Sequence, residues 1–171
     1  MSSSTAERGG GPEQPRAAVI TVSDSCSRGE RHDLSGPAVA EFLRNLHFQI
    51  AVQDLVPDDV TQIQNLLMRL SHNVHLIVTT GGTGIAARDV TPEATRAVCD
   101  KIIEGMAERM RHEGSKKTPL AALSRGLCGV HGTTLIVNLP GSPNGAIESL
   151  QALADLIPHA IDLLSGKTAH S

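Results

Sequence analysis

Between Leu76 and Thr95 the chain reads LIVTTGGTGIAARDVTPEAT, and its most chemically suggestive residues lie there. The apolar run Leu76-Ile77-Val78 leads into a turn carrying Gly81, Gly82, Thr83 and Gly84. Asp89 follows, and Thr91, Pro92 and Glu93 write a helix start. Strand, glycine turn and helix N-terminus in this order is how a parallel α/β sheet builds an anion pocket at its carboxyl edge. Backbone amides and a helix dipole of about half a unit charge favour phosphate there. A carboxylate such as Asp89 among phosphates suggests Mg²⁺, a hard cation bound through one or two carboxylates and phosphate oxygens. The turn is not a Walker A loop, since no Gly-Lys-Ser/Thr follows, and it lacks the GxGxxG dinucleotide fingerprint. The expectation is a small-molecule phosphate site, and an enzymatic one.

Other residues could converge on the same place. Pro140, Gly141 and Ser142 form a second strand-end turn, with Ser142 able to cap a helix starting near Pro143. Ser23-Asp24 closes the first apolar run and would open on the same edge. Asp58, after Val56-Pro57 and before a helix, reads either as an N-cap or as a site carboxylate. In Ser124-Arg125 the arginine can hold a phosphate or simply be solvated. His72 and His75 straddle a helix end and a strand start, a poor metal pair. Cys26 has no base beside it and reads as an ordinary thiol.

These residues need a scaffold, and the apolar pattern supplies one. Buried strands are predicted at Ala18 to Val22, Phe48 to Leu55, His75 to Thr80 and Leu135 to Asn138. Helices are predicted from Ser35, as cap, to Leu46, and after Asp58 or Asp59 on the period Ile63, Leu66, Leu67, Leu70. A third runs from Thr91 through Val98, Ile102, Met106 and Met110, with an interruption at Gly105. A loop at Gly114 to Pro119 precedes a short helix at Leu120 to Leu123. The closing helix carries Ile147, Leu150, Leu153, Leu156 and Ile157, bends at Pro158 and stops near Gly166. Alternating strands and helices argue an α/β fold, a three-layer α/β/α sandwich on a mostly parallel sheet. Residues 1–16, rich in Ser, Gly and Pro, read as a disordered leader; 17–166 form the single domain and 167–171 a tail.

The 171 residues, 40% hydrophobic and 19% charged, suit one globular domain. A net charge of −3 gives no basic field to draw the chain to nucleic acid or an anionic membrane. With Phe42 and Phe48 as the only aromatics, there is no platform for stacked bases, and a nucleotide ring would rest on aliphatic groups and backbone. Cys26, Cys99 and Cys128 are odd in number and scattered, which fits reduced thiols in the cytoplasm.

Several long segments in a fixed order, TVSDSCSRG, DLSGP, VPDDV, TTGGTGIAARDVTPEAT, TPLAALSRGLCGVHGTTLIVNLPGSPNGA and PHAIDLL, resemble the molybdopterin adenylyltransferases of molybdenum-cofactor biosynthesis. That family includes bacterial enzymes, the plant enzyme's G domain and the N-terminal G domain of gephyrin; the likeness runs from about Ala17 to Leu164. The resemblance implies transfer of AMP from ATP to the phosphate of molybdopterin, with Mg²⁺ and release of pyrophosphate. It implies a homotrimer and, as candidate partners, other molybdenum-cofactor synthesis proteins. It maps the family's important aspartates onto Asp58 and Asp89, both also candidate Mg²⁺ ligands, and its pterin-site serine onto Ser124. The substrate-binding turns map to Gly81 through Gly84, Ser23-Asp24 and Pro140 through Pro143. Relatives commonly carry Arg where this chain has Leu34, and Pro where it has Ala87. A non-catalytic molybdopterin-binding or scaffold module on the same fold is the alternative. A Rossmann-type dehydrogenase with Asp54 as its ribose acid lacks the glycine fingerprint.

Overall fold

The computed structural model describes residues 12–167. Six strands form one sheet in the order β2-β1-β3-β6-β5-β4: β1 (Arg16–Val22), β2 (Gln49–Val56), β3 (Leu76–Thr80), β4 (Lys101–Ile102), β5 (Cys128–His131) and β6 (Thr134–Leu139). The four strands β2, β1, β3 and β6 are parallel, and β5 runs against both its neighbours. The mostly parallel α/β sheet is therefore as expected, with an antiparallel edge added.

Side chains alternate across the strands. Val19, Leu76, Val78, Leu135 and Val137 face one core with α2 (Ser35–Asn45), α5 (Glu104–Ser115), α6 (Pro143–Leu153) and α7 (Leu156–Leu164). Ala18, Ile20, Ile77 and Ile136 face the other with α3 (Val60–Leu70) and α4 (Thr91–Val98). Burial on both faces is why the strands read as continuous apolar runs. Each helix turns its apolar stripe inward, as with Ile63, Leu66, Leu67 and Leu70 of α3.

Several boundaries differ from the sequence pattern. The helix expected to continue from Thr91 past Met106 is two helices. Cys99 turns extended (ψ 135°), and the amides of Asp100 and Ile103 donate to the carbonyls of Val130 and Cys128 on β5. Sheet pairing thus overrides a helical period that carries across the break by coincidence, and Gly105 lies inside α5 rather than at the interruption. The short strands β4 and β5 carry no period to detect. Ser35 is the first residue of α2 and is buried, so it does not cap; Asp33 Oδ1 accepts from Gly36 N (2.9 Å) instead. The closing helix breaks at Ala154-Asp155, and Pro158 sits in the first turn of α7, where the missing N–H costs nothing. A one-turn helix, α1 (Asp24–Ser27), has no counterpart in the apolar pattern. Residues 1–11 of the expected leader and 168–171 of the expected tail lie outside the described residues, and Arg16 already pairs in β1. No helix among the described residues is long and apolar enough to cross a membrane.

Candidate active site

Register brings the site together. Val22 of β1 pairs with Val56 of β2, Thr21 with Thr80 of β3, and Thr80 with Leu139 of β6. The residues that follow, Ser23, Asp58, Gly81 and Pro140-Gly141, therefore emerge side by side at one carboxyl edge. The chain leaves β1 toward β2 and returns to β3 on the other side, so the edge between β1 and β3 is a topological switch point, where open α/β sheets bind ligands.

A cavity of about 440 Å³ opens there, lined by Ser23, Asp58, Gly81, Gly82, Asp89, Gly141 and Ser142 among others. The glycine turn at its edge leaves little room for side chains. Gly81 has φ +107°, and a Cβ there would lie 2.2 Å from the carbonyl oxygen of Val22. A Cβ on Gly82 would meet Thr91 Oγ1 at 2.3 Å and Asp58 Oδ1 at 2.9 Å, and one on Gly84 would meet Asp89 Oδ2 at 2.8 Å. The two aspartates thus flank the same turn. Thr91 ties α4 to it, donating its hydroxyl to Gly81 O (2.9 Å) and its amide to Gly82 O (3.1 Å).

Asp58 and Asp59 divide the roles that the sequence left open. Asp59 caps α3 by accepting from Gln62 N (2.9 Å). Asp58 is left to the cavity, where its Oδ2 accepts from Asp24 N (3.0 Å). Burial raises the Asp58 carboxyl above the ordinary aspartate range, reinforced by the charges of Asp24 and Asp89. Asp89 Oδ2 accepts from Ala86 N (3.0 Å), which folds the segment after the glycines back on itself.

Some expected contributors stand elsewhere. Gly81 N donates to Leu139 O (3.1 Å), so that amide is not available for phosphate. Thr83 is buried beneath the turn, and neither Thr83 nor Gly84 lines the cavity. Among the described residues, the amides of Gly82, Thr83 and Gly84 have no protein partner. Asp24 does not reach the cavity wall: Arg88 grips its carboxylate with two bonds (2.8 and 2.9 Å), lowering its pKa. Arg125 is engaged by the protein itself. Its guanidinium donates to Gly84 O and Asp89 O (2.8 Å each) and pairs with Glu93, clamping the glycine turn. Ser23 caps α1, accepting from Cys26 N (3.2 Å). Asp54 is exposed on edge strand β2, its carboxylate accepting the next amide, and offers nothing to a ribose.

Three residues of the cavity wall escape a reading of the sequence alone. Asp33 accepts from Thr21 Oγ1 (2.6 Å), pinning the loop after α1 to the end of β1; its signal is its place in DLSGP. Arg31 and His32 line the same cavity and bring positive or titratable groups to it. Leu34, 69% exposed, borders it too.

Ser124 lines a second cavity of about 290 Å³, beside Met110, Leu120, Ala121, Asn138 and Pro140. Ser124 Oγ accepts from Gly126 N (3.3 Å), which leaves its own O–H to donate. The cavities share Ser142, whose Oγ accepts from Gly145 N (3.1 Å) to cap α6. Because Gly141, Ser142 and Pro143 line the larger cavity, the N-terminus of α6 faces it with its positive dipole end. No group of three or more His, Cys, Asp or Glu able to hold a metal is present among the described residues. Asp58 and Asp89, two carboxylates on one cavity wall, are the donor set that Mg²⁺ takes when nucleotide phosphates supply its other oxygens.

Comparison with known proteins is concordant. Residues 18–159 match the family described as "Probable molybdopterin binding domain". The molybdopterin adenylyltransferase of Helicobacter pylori strain J99 is 41% identical over 157 residues, covering 86% of each chain. The Drosophila melanogaster molybdenum cofactor synthesis protein cinnamon is 42% identical over 149 residues, which is 85% of this chain but only 25% of that protein. Among solved structures, the molybdopterin biosynthesis enzyme MoaB of Thermus thermophilus is 50% identical with a TM-score of 0.85, over 90% of this chain and 98% of that one.

Proposed function

The chain belongs to the molybdopterin adenylyltransferase family, and from that premise we propose that it joins AMP from ATP to the phosphate of molybdopterin, releasing pyrophosphate. An oxygen of the molybdopterin phosphate attacks the α-phosphorus of ATP. The bond from that phosphorus to the bridging oxygen breaks, and pyrophosphate leaves with the electron pair. The nucleophile is already anionic near neutral pH, so placement and charge neutralisation carry the reaction rather than a strong base.

One observation carries this reading: two carboxylates, Asp58 and Asp89, flank a glycine turn in a cavity that shares Ser142 with a second, separate cavity. In this reading the larger cavity takes ATP, with its phosphates against the amide of Gly82 and the N-terminus of α6. Asp58 and Asp89 are the residues that would hold Mg²⁺, whose chemistry is to neutralise phosphate charge and orient the α-phosphorus. The smaller cavity takes the pterin, with Ser124 donating a hydrogen bond and Met110 and Leu120 covering its faces. Pro140-Gly141-Ser142 then sits where the two substrates meet. The homotrimer, as in the family, belongs to the same reading, as does a cytoplasmic site of action that suits three free thiols.

The test is ATP-dependent pyrophosphate release on adding purified molybdopterin. Release that needs both substrates and Mg²⁺ supports the proposal; molybdopterin binding without any release overturns it.

A further inference from the structure

Asp24 and Arg88 lie just outside the cavity, yet they are joined to its wall by a closed set of bonds. Arg88 Nε and Nη2 donate to Asp24 Oδ2 and Oδ1 at 2.8 and 2.9 Å, the bidentate geometry that fixes both partners in plane. Asp24 Oδ1 accepts from Asp58 N, and Asp58 Oδ2 accepts from Asp24 N, each at 3.0 Å. The two aspartates thus exchange carboxylate and amide, each setting the other's backbone and side chain. The residues come from three strand ends: Asp24 follows β1, Asp58 follows β2, and Arg88 follows the glycine turn after β3.

Arg88 is 68% exposed at its side chain, and exposed ion pairs contribute little to stability. Stability therefore gives weak reason for so complete a bonding pattern. Its geometric consequence is strong, because Asp58 Oδ2 is committed to Asp24 N and Oδ1 is left facing Gly82. We propose that Arg88 is a positioning residue for adenylyl transfer, acting through Asp24 to aim the Asp58 carboxylate at the glycine turn. The proposal rests on the reading of Asp58 as a reaction-site carboxylate. Arg88 also ties the segment after the glycine turn to Asp24, just past the end of β1.

The test is a double-mutant cycle with Arg88→Gln, Asp24→Asn and both together, with Asp58→Asn beside it. Each single substitution is expected to lower kcat about tenfold, the scale for residues that orient a ligating group, with the KM for molybdopterin unchanged. The double variant should lose no more than either single one, since both act through one path. The thermal unfolding midpoint should stay near the parent's, and a crystal structure of Arg88→Gln should show the Asp58 carboxylate turned from Gly82. Multiplying losses in the double variant overturn the proposal. So does a rise confined to the KM for ATP, which would make Arg88 a phosphate contact, or an Asp58 carboxylate left in place. If Asp58→Asn itself turns over at the parental rate, the reading of the site fails instead, whatever Arg88 does.

Discussion

The two cavities that meet at Ser142 are built by different means. The larger is made of strand ends: parallel register aligns Ser23, Asp58, Gly81 and Gly141 at one carboxyl edge. The smaller is made of helix α5, the 3-10 turn at Pro119–Leu123 that follows it, and helix α6, which the chain brings alongside after crossing the sheet. One is edged by carboxylates and hydroxyls, with Gly81 and Gly82 whose Cβ positions are already filled by oxygen atoms. The other presents Met110, Leu120 and Ala121 beside Ser124 and Asn138. The contrast matches the proposed division, phosphates in the larger cavity and ring in the smaller, under which substitutions on either side should move different kinetic constants.

The sharpest way to break that contrast is on the rim. Asp89→Asn is expected to lower kcat by about 10²-fold or more, the scale of lost transition-state electrostatics, with little change in the KM for molybdopterin. Parental turnover in a pyrophosphate-release assay would refute the role given to the rim. Next comes Gly81→Ala. The residue sits at φ +107° and its Cβ would lie 2.2 Å from a backbone oxygen that cannot swing away. A loss on the order of 3 kcal/mol in chemical denaturation is expected.

On the other side, Ser124→Ala removes one hydrogen-bond donor from the smaller cavity. A rise of roughly tenfold in the KM for molybdopterin, with the KM for ATP unchanged, is the expected outcome. Equal shifts in both constants would mean that the cavities do not divide the substrates. The smallest effect is in pH. Burial holds the Asp58 carboxyl above the ordinary aspartate range, so the folded state binds that proton more tightly than the unfolded chain does. Its contribution favours the fold at low pH and fades as pH rises through the folded value. Asp24, lowered by Arg88, has the opposite sign: its contribution is present above the ordinary value and is lost as pH falls through the depressed one. The acid limb of kcat/KM should therefore lie above the usual aspartate value of about 3.9. A limb at or below it would show that the ionisation of Asp58 does not govern the rate.

Legibility followed sequence distance. The turn at Gly81–Gly82, the helix start at Thr91 and the Ser142 cap are written within a few residues, because φ preference and capping act locally. Asp58 could not be told from Asp59 by type, since either can accept the amide of a helix N-terminus. The choice was made by Asp24, 34 residues away, whose amide claims the Asp58 carboxylate. By type alone Arg125 reads as a phosphate contact or a solvated loop residue, and its three partners lie 32 to 41 residues back. The strand pair β4 and β5 was hidden because strands of two and four residues carry too little alternation to register.

What the chain determines by itself is the alternation of apolar runs and turn chemistry, hence an α/β sheet with glycine-rich and proline-rich corners at its carboxyl edge, and a set of motifs in order. Backbone sterics and hydrophobic period operate over a few residues and need no partner. Only the tertiary structure decided which carboxylates face the cavity, which arginines are consumed in holding it, and that Ser124 lies across Ser142 from the aspartates. Those outcomes depend on strand register and on hydrogen bonds between residues far apart in sequence, which no local preference encodes.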